Sequence, residues 1–318
     1  MKNVLLAGLL TLSFPVMGHE DLFNLDLIYN DSYNFSLPRE ILESYLSGNS
    51  YDYKQYYTDE ESAKLREDIS EIYQEIMHSE PLDKPLAVMT AGAPGSGKTF
   101  KMREDLKKQQ GHYGKSIAYI CPDDVCLKRQ TRTYLVDIAE GDGSFDSWKA
   151  AYDKWRPGSN AATHLVLAHL IRQNKAFYFG TTSSSPGAIT FFEHLKKQGY
   201  HIRLLHITAP DDVRWESIKE RDKSFVQTTE EDIRLKGFLV PQRINDTFLK
   251  FADEIEFYYR DGIFTSARLA AKWINKGEER VLEIINLEDY EKIKSIHNSI
   301  ADELRRPDIQ WQETVERL

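Results

Sequence analysis

The octapeptide GAPGSGKT, at residues 92–99, constrains the fold more than any other stretch of the sequence. It satisfies the pattern G-x-x-x-x-G-K-[ST] at every fixed position. An apolar run at 86–90 precedes it, and a helix-compatible run, FKMREDLKKQQ, follows it. Glycines in such a turn let successive backbone N–H groups point inward, which creates an anion-binding nest at the start of the next helix. The stretch therefore predicts a strand, a phosphate-binding loop and a helix in succession.

The side chains of this loop indicate how it would bind a nucleotide. The Lys98 ammonium would reach the β- and γ-phosphates, and the Thr99 hydroxyl would be a ligand of Mg²⁺. We therefore expect ATP and Mg²⁺ as cofactors. The candidate nucleotide-binding residues are Gly92, Ala93, Pro94, Gly95, Ser96, Gly97, Lys98, Thr99 and Phe100.

Apolar runs alternate with helix-compatible segments downstream of the loop. The candidate strands are residues 86–90, 116–120, 176–179, 202–207 and 255–259. One helix is well delimited, because Ser185 can cap it, Pro186 suits its first turn and Gly199 can end it. Such alternation predicts a P-loop NTPase-type three-layer α/β/α fold, with a mostly parallel sheet of five or six strands.

The N-terminus has the features of an export signal. Lys2 precedes an apolar run at 4–12, and Val16-Met17-Gly18 resembles a signal-peptidase site. The run is too short to span a bilayer as an anchored helix. We expect residues 1–18 to be a signal peptide and the protein to be exported, to the periplasm or the medium. A buried N-terminal element of a cytoplasmic protein is the alternative.

The remainder of the chain divides into three parts. Residues 19–83 form a helical prefix, in which Thr58 and Glu61 make a capping box ahead of apolar residues at helical spacing. Residues 84–265 form the P-loop domain. Residues 266–318 form a charged, helical C-terminal extension.

The charge balance limits the classes of partner. The chain of 318 residues has 41 Lys and Arg against 50 Asp and Glu, a net charge of −9. General binders of nucleic acid or of anionic membranes need a basic surface, so we expect neither partner for the mature form. Cys121 and Cys126 are too few for a disulfide framework and lack metal-site spacing, although a bridge between them is compatible with export.

A pair of carboxylates follows the second predicted strand. Asp123 and Asp124 would lie at the carboxyl edge of the sheet, where open α/β sheets bind ligands. A carboxylate there can accept the proton of an acceptor hydroxyl or bind Mg²⁺, and either residue can instead cap the next helix. We assign Asp123 as catalytic carboxylate and, with Thr99, as metal ligand, and Asp124 as a substrate-side residue. Which of the two is the better base stays open.

The order of these segments resembles the zeta-toxin family of P-loop kinases. The resemblance covers about residues 85–262 and rests on the segments GAPGSGKT, ICPDD, RPGSNAATHLVLAHLIRQNKAFYFGTT, LKKQGYHIRLLHITAPDDVRWESIKERDKS and VPQRIND. It implies transfer of the ATP γ-phosphate to a hydroxyl, best known for UDP-N-acetylglucosamine, and inhibition by an antitoxin protein. Lys98 and Thr99 keep their loop roles, and Asp123 falls at the position of the general base.

The resemblance also places Arg221 where the family has an arginine that grips the transferring phosphate. A guanidinium there would stabilise charge on the γ-phosphate oxygens, whereas a solvent-facing charge at a helix C-terminus is the alternative. A second such arginine is expected just upstream of Pro241, where Phe238 stands instead. The nearby candidate substitutes are Arg234, Lys236 and Arg243.

The acceptor half departs further from the family pattern. The family usually has an acidic residue where this chain has Phe179, and a basic residue where it has Ser183. His164 stands where the family has a glutamate. We keep His164 and Thr181 as candidate acceptor contacts, although His164 can simply pack in the core and the hydroxyl cluster 181–185 can simply form a turn. The sequence thus predicts a kinase for a small-molecule acceptor. A kinase acting on a host protein and a nucleotide-binding module without transfer activity are the alternatives.

Overall fold

The computed structural model describes residues 57–77, 84–113, 117–185, 187–223, 230–277 and 279–316. The predicted signal peptide at 1–18 and the prefix up to residue 56 lie outside these ranges. Among the helices that are described, none has both the length and the apolar character needed to cross a bilayer.

Within the described ranges, seven strands form one sheet in the order β2-β3-β1-β4-β5-β6-β7. Strands β1 to β5 pair in parallel, whereas β6 and β7 join by antiparallel pairing. The strands are β1 Leu86–Ala91, β2 Ala118–Ile120, β3 Phe177–Phe179, β4 His201–Thr208, β5 Glu254–Tyr259, β6 Arg268–Lys276 and β7 Glu279–Ile284.

Helices cover both faces of this sheet. On one face Val88 and Leu205 pack with Met102, while Ala87 and Met89 point into the larger core on the other face. The alternation along β1 shows that both faces of this central strand are buried, as in parallel sheets generally. The helices are α1 Asp59–Met77, α2 Lys98–Tyr113, α3 Tyr134–Glu140, α4 Phe145–Arg172, α5 Gly187–Lys197, α6 Asp211–Asp222, α7 Glu230–Arg243, α8 Leu249–Phe251, α9 Leu287–Glu303 and α10 Trp311–Thr314.

The predicted three-layer α/β/α class is confirmed, but the sheet is larger than predicted. It has seven strands rather than five or six, because the C-terminal extension begins with the hairpin β6–β7 instead of a helix. The pairing of β5 with β6 is irregular between Phe257 and Tyr258, and Ala270 and Ala271 are both buried. This irregularity breaks the period-two alternation by which a strand is recognised in a sequence.

Helix α1 is packed into the domain rather than attached to it loosely. The predicted capping box is present: the Thr58 N–H donates to Glu61 Oε2 at 2.8 Å, and the Glu61 N–H donates to Thr58 Oγ1 at 3.2 Å. Asp68 is completely buried and accepts hydrogen bonds from the Arg132 N–H at 3.1 Å and from the Thr133 hydroxyl at 2.8 Å. The helix therefore fixes the segment that follows the predicted catalytic carboxylates.

A buried ionic network ties helix α2 to the sheet. The Arg203 guanidinium lies 2.6 and 2.9 Å from the two oxygens of Asp105 on α2, and 2.8 Å from Glu256 on β5. The Tyr178 and Tyr258 hydroxyls donate to Asp105 and Glu256, respectively. Burial by itself would raise the pKa of both carboxyls, but Arg203 outweighs it and the pKa of each is lowered.

We predict that Asp105→Asn lowers the free energy of unfolding by about 3–5 kcal/mol, since it leaves the buried Arg203 charge poorly compensated. Lys108→Gln, at an exposed position on the same helix, should change it by no more than about 0.5 kcal/mol. Urea unfolding at neutral pH measures both. The folded-state pKa of Asp105 is lowered, so its contribution to the free energy of unfolding is fully present above the unfolded-state pKa of about 4. This contribution is lost as the pH falls from there through the folded-state pKa. Equal losses for the two variants would contradict this account.

Candidate active site

The phosphate loop joins β1 to α2 and needs glycine at defined positions. Gly92, Gly95 and Gly97 have φ angles of +143°, +81° and +95°, a region that other residues rarely adopt. A Cβ atom on Gly95 would lie 2.4 Å from the carbonyl oxygen of Arg214. The loop therefore has both the conformation and the close packing that the glycine pattern predicts.

Two buried arginines hold the loop through its carbonyl oxygens. Arg214 Nε donates to the Pro94 carbonyl and Arg260 Nη1 donates to the Gly95 carbonyl, each at 3.0 Å. A trans peptide directs its N–H opposite to its C=O, so these bonds turn the following N–H groups away from the arginines. Arg260 also donates to Ser217 Oγ at 3.0 Å. The arginines thus fix the backbone on which the anion-binding nest depends.

Lys98 occupies a markedly cationic position. Its Nζ atom donates to the Ala93 carbonyl at 2.9 Å. Burial, followed by the positive charges of Arg214, Arg221 and Lys236, lowers the pKa of Lys98 to about 7. Such a concentration of positive charge around one ammonium is unfavourable in the absence of an anion, and a bound phosphate would relieve it.

Most of the predicted site residues lie around one cleft of about 490 Å³ beside the loop. Ala93, Gly92 and Ser96 face a smaller cavity on the other side of the loop, near His206 and Trp311. The predicted residues that line the cleft are Pro94, Gly95, Gly97, Lys98, Thr99, Phe100, Asp123, Asp124, Thr181 and Arg221.

Asp123 is oriented within the cleft by two residues of α4. Arg156 Nε lies 2.6 Å from Asp123 Oδ1, and the Tyr152 hydroxyl donates to the same oxygen at 3.3 Å. Arg156 Nε also donates to the Tyr152 hydroxyl at 3.0 Å, so the three side chains form one connected group. The Asp123 carboxylate retains contact with solvent, which leaves it accessible to a ligand.

Asp124 has a more structural environment. Only 7% of its side chain is exposed, Arg103 Nη2 lies 2.5 Å from its Oδ2 atom, and the Tyr119 hydroxyl donates to that oxygen at 2.9 Å. Burial, together with nearby negative charge, raises the pKa of Tyr119, so this hydroxyl remains a donor.

The two aspartates lie in a single π-helical turn, Pro122–Leu127, rather than at the cap of a regular helix. The Cys121 carbonyl accepts the N–H groups of both Val125 and Cys126 at 3.0 Å. Turns of this type are uncommon and occur often at functional sites. Cys121 and Cys126 are both free thiols, and burial raises the pKa of each to about 12, so neither is a reactive nucleophile.

Two further cations face the cleft beside Lys98. Arg221, near the end of α6, lies 2.8 Å from Asp222 and lines the cleft together with Lys236 of α7. Of the other two candidate substitutes for the missing arginine, Arg234 is solvent-exposed and Arg243 pairs with Asp246 at 2.9 Å. Neither lines the cleft, which leaves Lys236 as the substitute that the structure brings to the site.

The structure does not bring His164 to the cleft lining. Burial, with a smaller effect of Arg156, lowers the pKa of His164 to about 4, as expected for a neutral packed imidazole. Phe179 is buried against Phe191, with 5.9 Å between ring centroids. Ser183 is buried and donates to the Thr90 carbonyl at 2.8 Å. Two of the three residues that depart from the family pattern, Phe179 and Ser183, therefore lie in the core of this chain.

Sequence reasoning missed several residues of the cleft. Arg260 directly follows β5, so the rule that located Asp123 at the carboxyl edge of the sheet also applies to it. For the others the sequence has no local signal, because they reach the cleft from positions within helices or from the end of a turn. The missed polar residues include Arg103, Lys128, Tyr152, Ser217 and Arg260.

A family model described as Zeta toxin matches residues 69–263, which is 195 of the 318 residues. The chain belongs to the zeta-toxin family. No curated protein sequence matches this zeta-toxin chain. The match includes the loop, the carboxylate turn and Arg221, and it ends before the hairpin β6–β7.

Two solved structures are similar to this zeta-toxin chain in fold. One comes from the PezAT chromosomal toxin–antitoxin system of Streptococcus pneumoniae, with 12% identity, a TM-score of 0.51 and coverage of 78% of this chain and 98% of that one. The other is the AvrRxo1-ORF1:AvrRxo1-ORF2 complex with sulphate ions, with 14% identity, a TM-score of 0.50 and coverage of 84% and 86%. The zeta-toxin chain thus has the fold of a P-loop kinase with a nucleotide-binding loop.

The possible metal ligands in the cleft suit a Mg²⁺ ion that is bound together with a nucleotide. They suit less well a metal ion whose ligands all come from the protein. Among the residues that the structure describes, no group of three or more His, Cys, Asp or Glu side chains could hold a metal ion. The Thr99 hydroxyl and the Asp123 carboxylate line the same cleft. They are hard oxygen ligands, and Mg²⁺ in nucleotide sites commonly takes one or two such ligands and completes its shell with phosphates and water.

We predict that Lys98 reacts with an amine-acylating reagent with a midpoint near pH 7, because only the neutral amine is nucleophilic. Lys108, whose pKa the neighbouring Glu104 raises, should react only at much higher pH. Peptide mass spectrometry after labelling across the pH range measures both, and Lys98→Arg verifies the peptide assignment. A common midpoint for the two lysines would show that burial and the neighbouring positive charges do not lower the pKa of Lys98.

Proposed function

We propose that this zeta-toxin family member is an ATP-dependent phosphotransferase that moves the γ-phosphate to a hydroxyl of a small-molecule acceptor. The observation that carries the proposal is the convergence of three groups in one cleft: the phosphate loop with Lys98, the accessible carboxylate of Asp123 and the cations Arg221 and Lys236. The family and the kinase fold support it. A cleft of about 490 Å³ is large enough for a nucleotide or a ligand of similar size.

Some residues of the cleft would bind the phosphates, and others would activate the acceptor. The N–H groups of the loop and the Lys98 ammonium would bind the β- and γ-phosphates. Arg221 and Lys236 would stabilise the charge that spreads over the oxygens of the γ-phosphoryl group during transfer. Mg²⁺, held by Thr99, Asp123 and the phosphates, would supply further charge neutralisation.

Asp123 would act as the base for the acceptor hydroxyl. The bond that forms joins the acceptor oxygen to the γ-phosphorus, the bond that breaks joins this phosphorus to the β–γ bridging oxygen, and ADP leaves. The hydroxyl proton passes to the carboxylate of Asp123. We favour Asp123 over Asp124, because Asp124 is nearly buried and is bonded to Arg103 and Tyr119, whereas Asp123 is accessible.

Transfer of label from γ-labelled ATP to a panel of nucleotide sugars, nucleotides and sugar phosphates tests this function. We expect Lys98→Ala to abolish ATP binding and transfer together. Asp123→Asn should lower kcat by about 10²–10⁴-fold and leave ATP binding intact, since it removes the proton acceptor and one oxygen ligand of Mg²⁺ but no contact between the protein and the phosphates. Asp124→Asn makes the same chemical change at the neighbouring position. Its main effect should be a lower melting temperature, and its effect on kcat should be smaller than that of Asp123→Asn. Unchanged turnover in Asp123→Asn would remove the assigned base, and ATP binding with no transfer to any acceptor would favour a nucleotide-binding module.

We also propose an inhibitory protein partner and export. The first is supported by the fold similarity to a toxin–antitoxin system and to the two-chain AvrRxo1-ORF1:AvrRxo1-ORF2 complex. The second is supported only by the composition of residues 1–18, and it would keep an active kinase away from the metabolites of the producing cell.

Export predicts a mature N-terminus at His19, directly after the small residue Gly18. Mass spectrometry of the intact protein, recovered separately from the cytosol and from the periplasm or medium of the producing cell, tests it. Replacing the apolar residues 5 and 6 by lysine should retain the whole chain in the cytosol. A chain that begins at Met1 and stays cytosolic without this change would contradict export.

A further inference from the structure

The phosphate loop has a rear face, which is turned away from the cleft. Gly92, Ala93 and Ser96 line a second cavity there, of about 40 Å³, which we call the rear cavity. The end of β4 and helix α7 form two further sides of it. A volume of this size holds a few water molecules at most and is far too small for a nucleotide. The rear cavity is therefore distinct from the site that the loop provides for phosphates.

The C-terminal extension closes the rear cavity. Trp311 of α10 lines it and is completely buried. The Trp311 Nε1–H donates to the Tyr290 hydroxyl at 2.8 Å, and the ring centroid lies 5.1 Å from that of His297. The family model matches residues up to 263, so this wall lies outside the matched part of the chain. Helix α9 contributes four more side chains to the lining, Ile293, Ile296, His297 and Ile300.

Two polar side chains at this cavity have an atom without a protein partner. Ser96 Oγ and His206 Nε2 are buried, and neither has a hydrogen-bond partner among the residues that the structure describes. The two residues are only 1% and 5% exposed. Buried polar atoms are nearly always bonded to protein or to ordered water, because an unpaired one loses its hydration without compensation. Two such atoms on one small cavity therefore point to a shared partner.

The His206 ring is held so that its Nε2 atom is left for this partner. Burial, with smaller effects of His297 and Lys98, lowers the pKa of His206 to about 3. The ring is therefore neutral near pH 7, with one N–H donor and one acceptor nitrogen. Its Nδ1 atom lies 3.5 Å from the Thr208 hydroxyl, and its centroid lies 5.5 Å from that of Phe257.

Ser96 occupies a position from which a contact at the rear can act on phosphate binding. It directly precedes Gly97, Lys98 and Thr99, at the start of α2, where backbone N–H groups would face the phosphates. Its side chain has little freedom, because a Cβ atom on Gly92 would lie 2.9 Å from Ser96 Oγ. Buried arginines already hold the carbonyl oxygens of the two residues before it. A hydrogen bond to Ser96 Oγ would fix the loop from the opposite side.

We propose that a water molecule in the rear cavity joins Ser96 Oγ to His206 Nε2, and that His206 thereby positions the phosphate loop for nucleotide binding. Water has the size for this cavity and can donate to one atom while it accepts from the other. His206 acts through Ser96 and does not touch the phosphates. Without this link the loop relaxes in the free protein, and the nucleotide must reorder it and binds more weakly. The inference rests on the nucleotide binding in the proposed function and is independent of the transfer step.

A high-resolution crystal structure of the whole chain tests the water molecule directly. We expect electron density for a water oxygen within about 2.6–3.2 Å of both Ser96 Oγ and His206 Nε2. The Ser96→Ala variant should lose this density or show it at lower occupancy. Density that contacts only one of the two atoms, or no density between them in the wild type, would overturn the proposal.

Nucleotide affinity tests the positioning role. The probe is a non-hydrolysable ATP analogue with Mg²⁺, titrated into each protein by calorimetry. We expect Ser96→Ala and His206→Leu each to weaken its binding by about 5–20-fold, because each leaves the other side of the link without its full set of hydrogen bonds. The double variant should bind about as weakly as either single variant, since both changes break the same link. Losses that multiply in the double variant would show that the two residues act separately.

Conservative and matched variants separate positioning from packing. His206→Gln keeps a donor and an acceptor and should retain more affinity than His206→Leu, whereas a packing role predicts the opposite order. His169→Leu removes another buried histidine, which contacts Tyr73 of α1, and should leave the affinity unchanged. If His206→Leu does not fold, Ser96→Ala decides, because it removes a single oxygen atom. Wild-type affinity in Ser96→Ala would overturn the proposal.

Steady-state kinetics separate a failure of this inference from a failure of the kinase function. In a protein that transfers phosphate, His206→Leu should raise the KM for ATP by about 5–20-fold and change kcat by less than about twofold, because Asp123 and Arg221 are untouched. A lower kcat with an unchanged KM would reject the positioning role and keep the kinase. Weaker analogue binding by Ser96→Ala, with no transfer by the wild type to any acceptor, would keep the positioning role and reject the kinase function.

Discussion

The site depends on hydrogen bonds from Arg214 and Arg260 to the carbonyl oxygens of the phosphate loop. These bonds hold Pro94 and Gly95 in an arrangement that only glycine at position 95 tolerates. Arg214 also brings positive charge close to Lys98, and together with burial, which has the largest effect, it lowers the pKa of Lys98 to about 7. The loop is therefore fixed in advance at the cost of electrostatic repulsion, and a bound polyphosphate would convert this repulsion into attraction.

The two neighbouring aspartates have different surroundings, which suit them to the different roles that we propose. The π-helical turn directs Asp124 toward Arg103 and Tyr119, where it is nearly buried, and Asp123 toward Arg156 and solvent. The elements that establish this difference come from distant parts of the chain. Helix α4 supplies Arg156, and helix α1 holds the segment after the turn through the buried carboxylate of Asp68. The turn is thus held by contacts on both sides.

The proposed nucleotide half of the cleft keeps the loop residues of the family pattern, whereas the proposed acceptor half departs from that pattern. Lys236 stands beside Arg221 and Lys98 near the loop, although the sequence lacks an arginine at the expected position. At the acceptor end, Phe179 and Ser183 have become core residues. Positive charge is present instead beside the carboxylate turn, on Arg103 and Arg156. The same fold can therefore keep its phosphate chemistry while the recognised acceptor changes, since the two halves use different elements.

The sequence by itself determined the phosphate loop, the alternating strands and helices and the placement of Asp123 at the carboxyl edge of the sheet. These features depend on short-range patterns: glycine spacing, runs of apolar residues and strand ends. Only the tertiary structure decided which charges meet Asp123 and Asp124, that Lys236 rather than Arg243 reaches the cleft, and that β6 and β7 extend the sheet. Arg103, Arg156 and Arg260 are far apart along the chain, and pairing between such residues leaves no local periodicity to read. Their proximity follows from the packing of the helices on the sheet, which brings distant side chains within hydrogen-bonding distance.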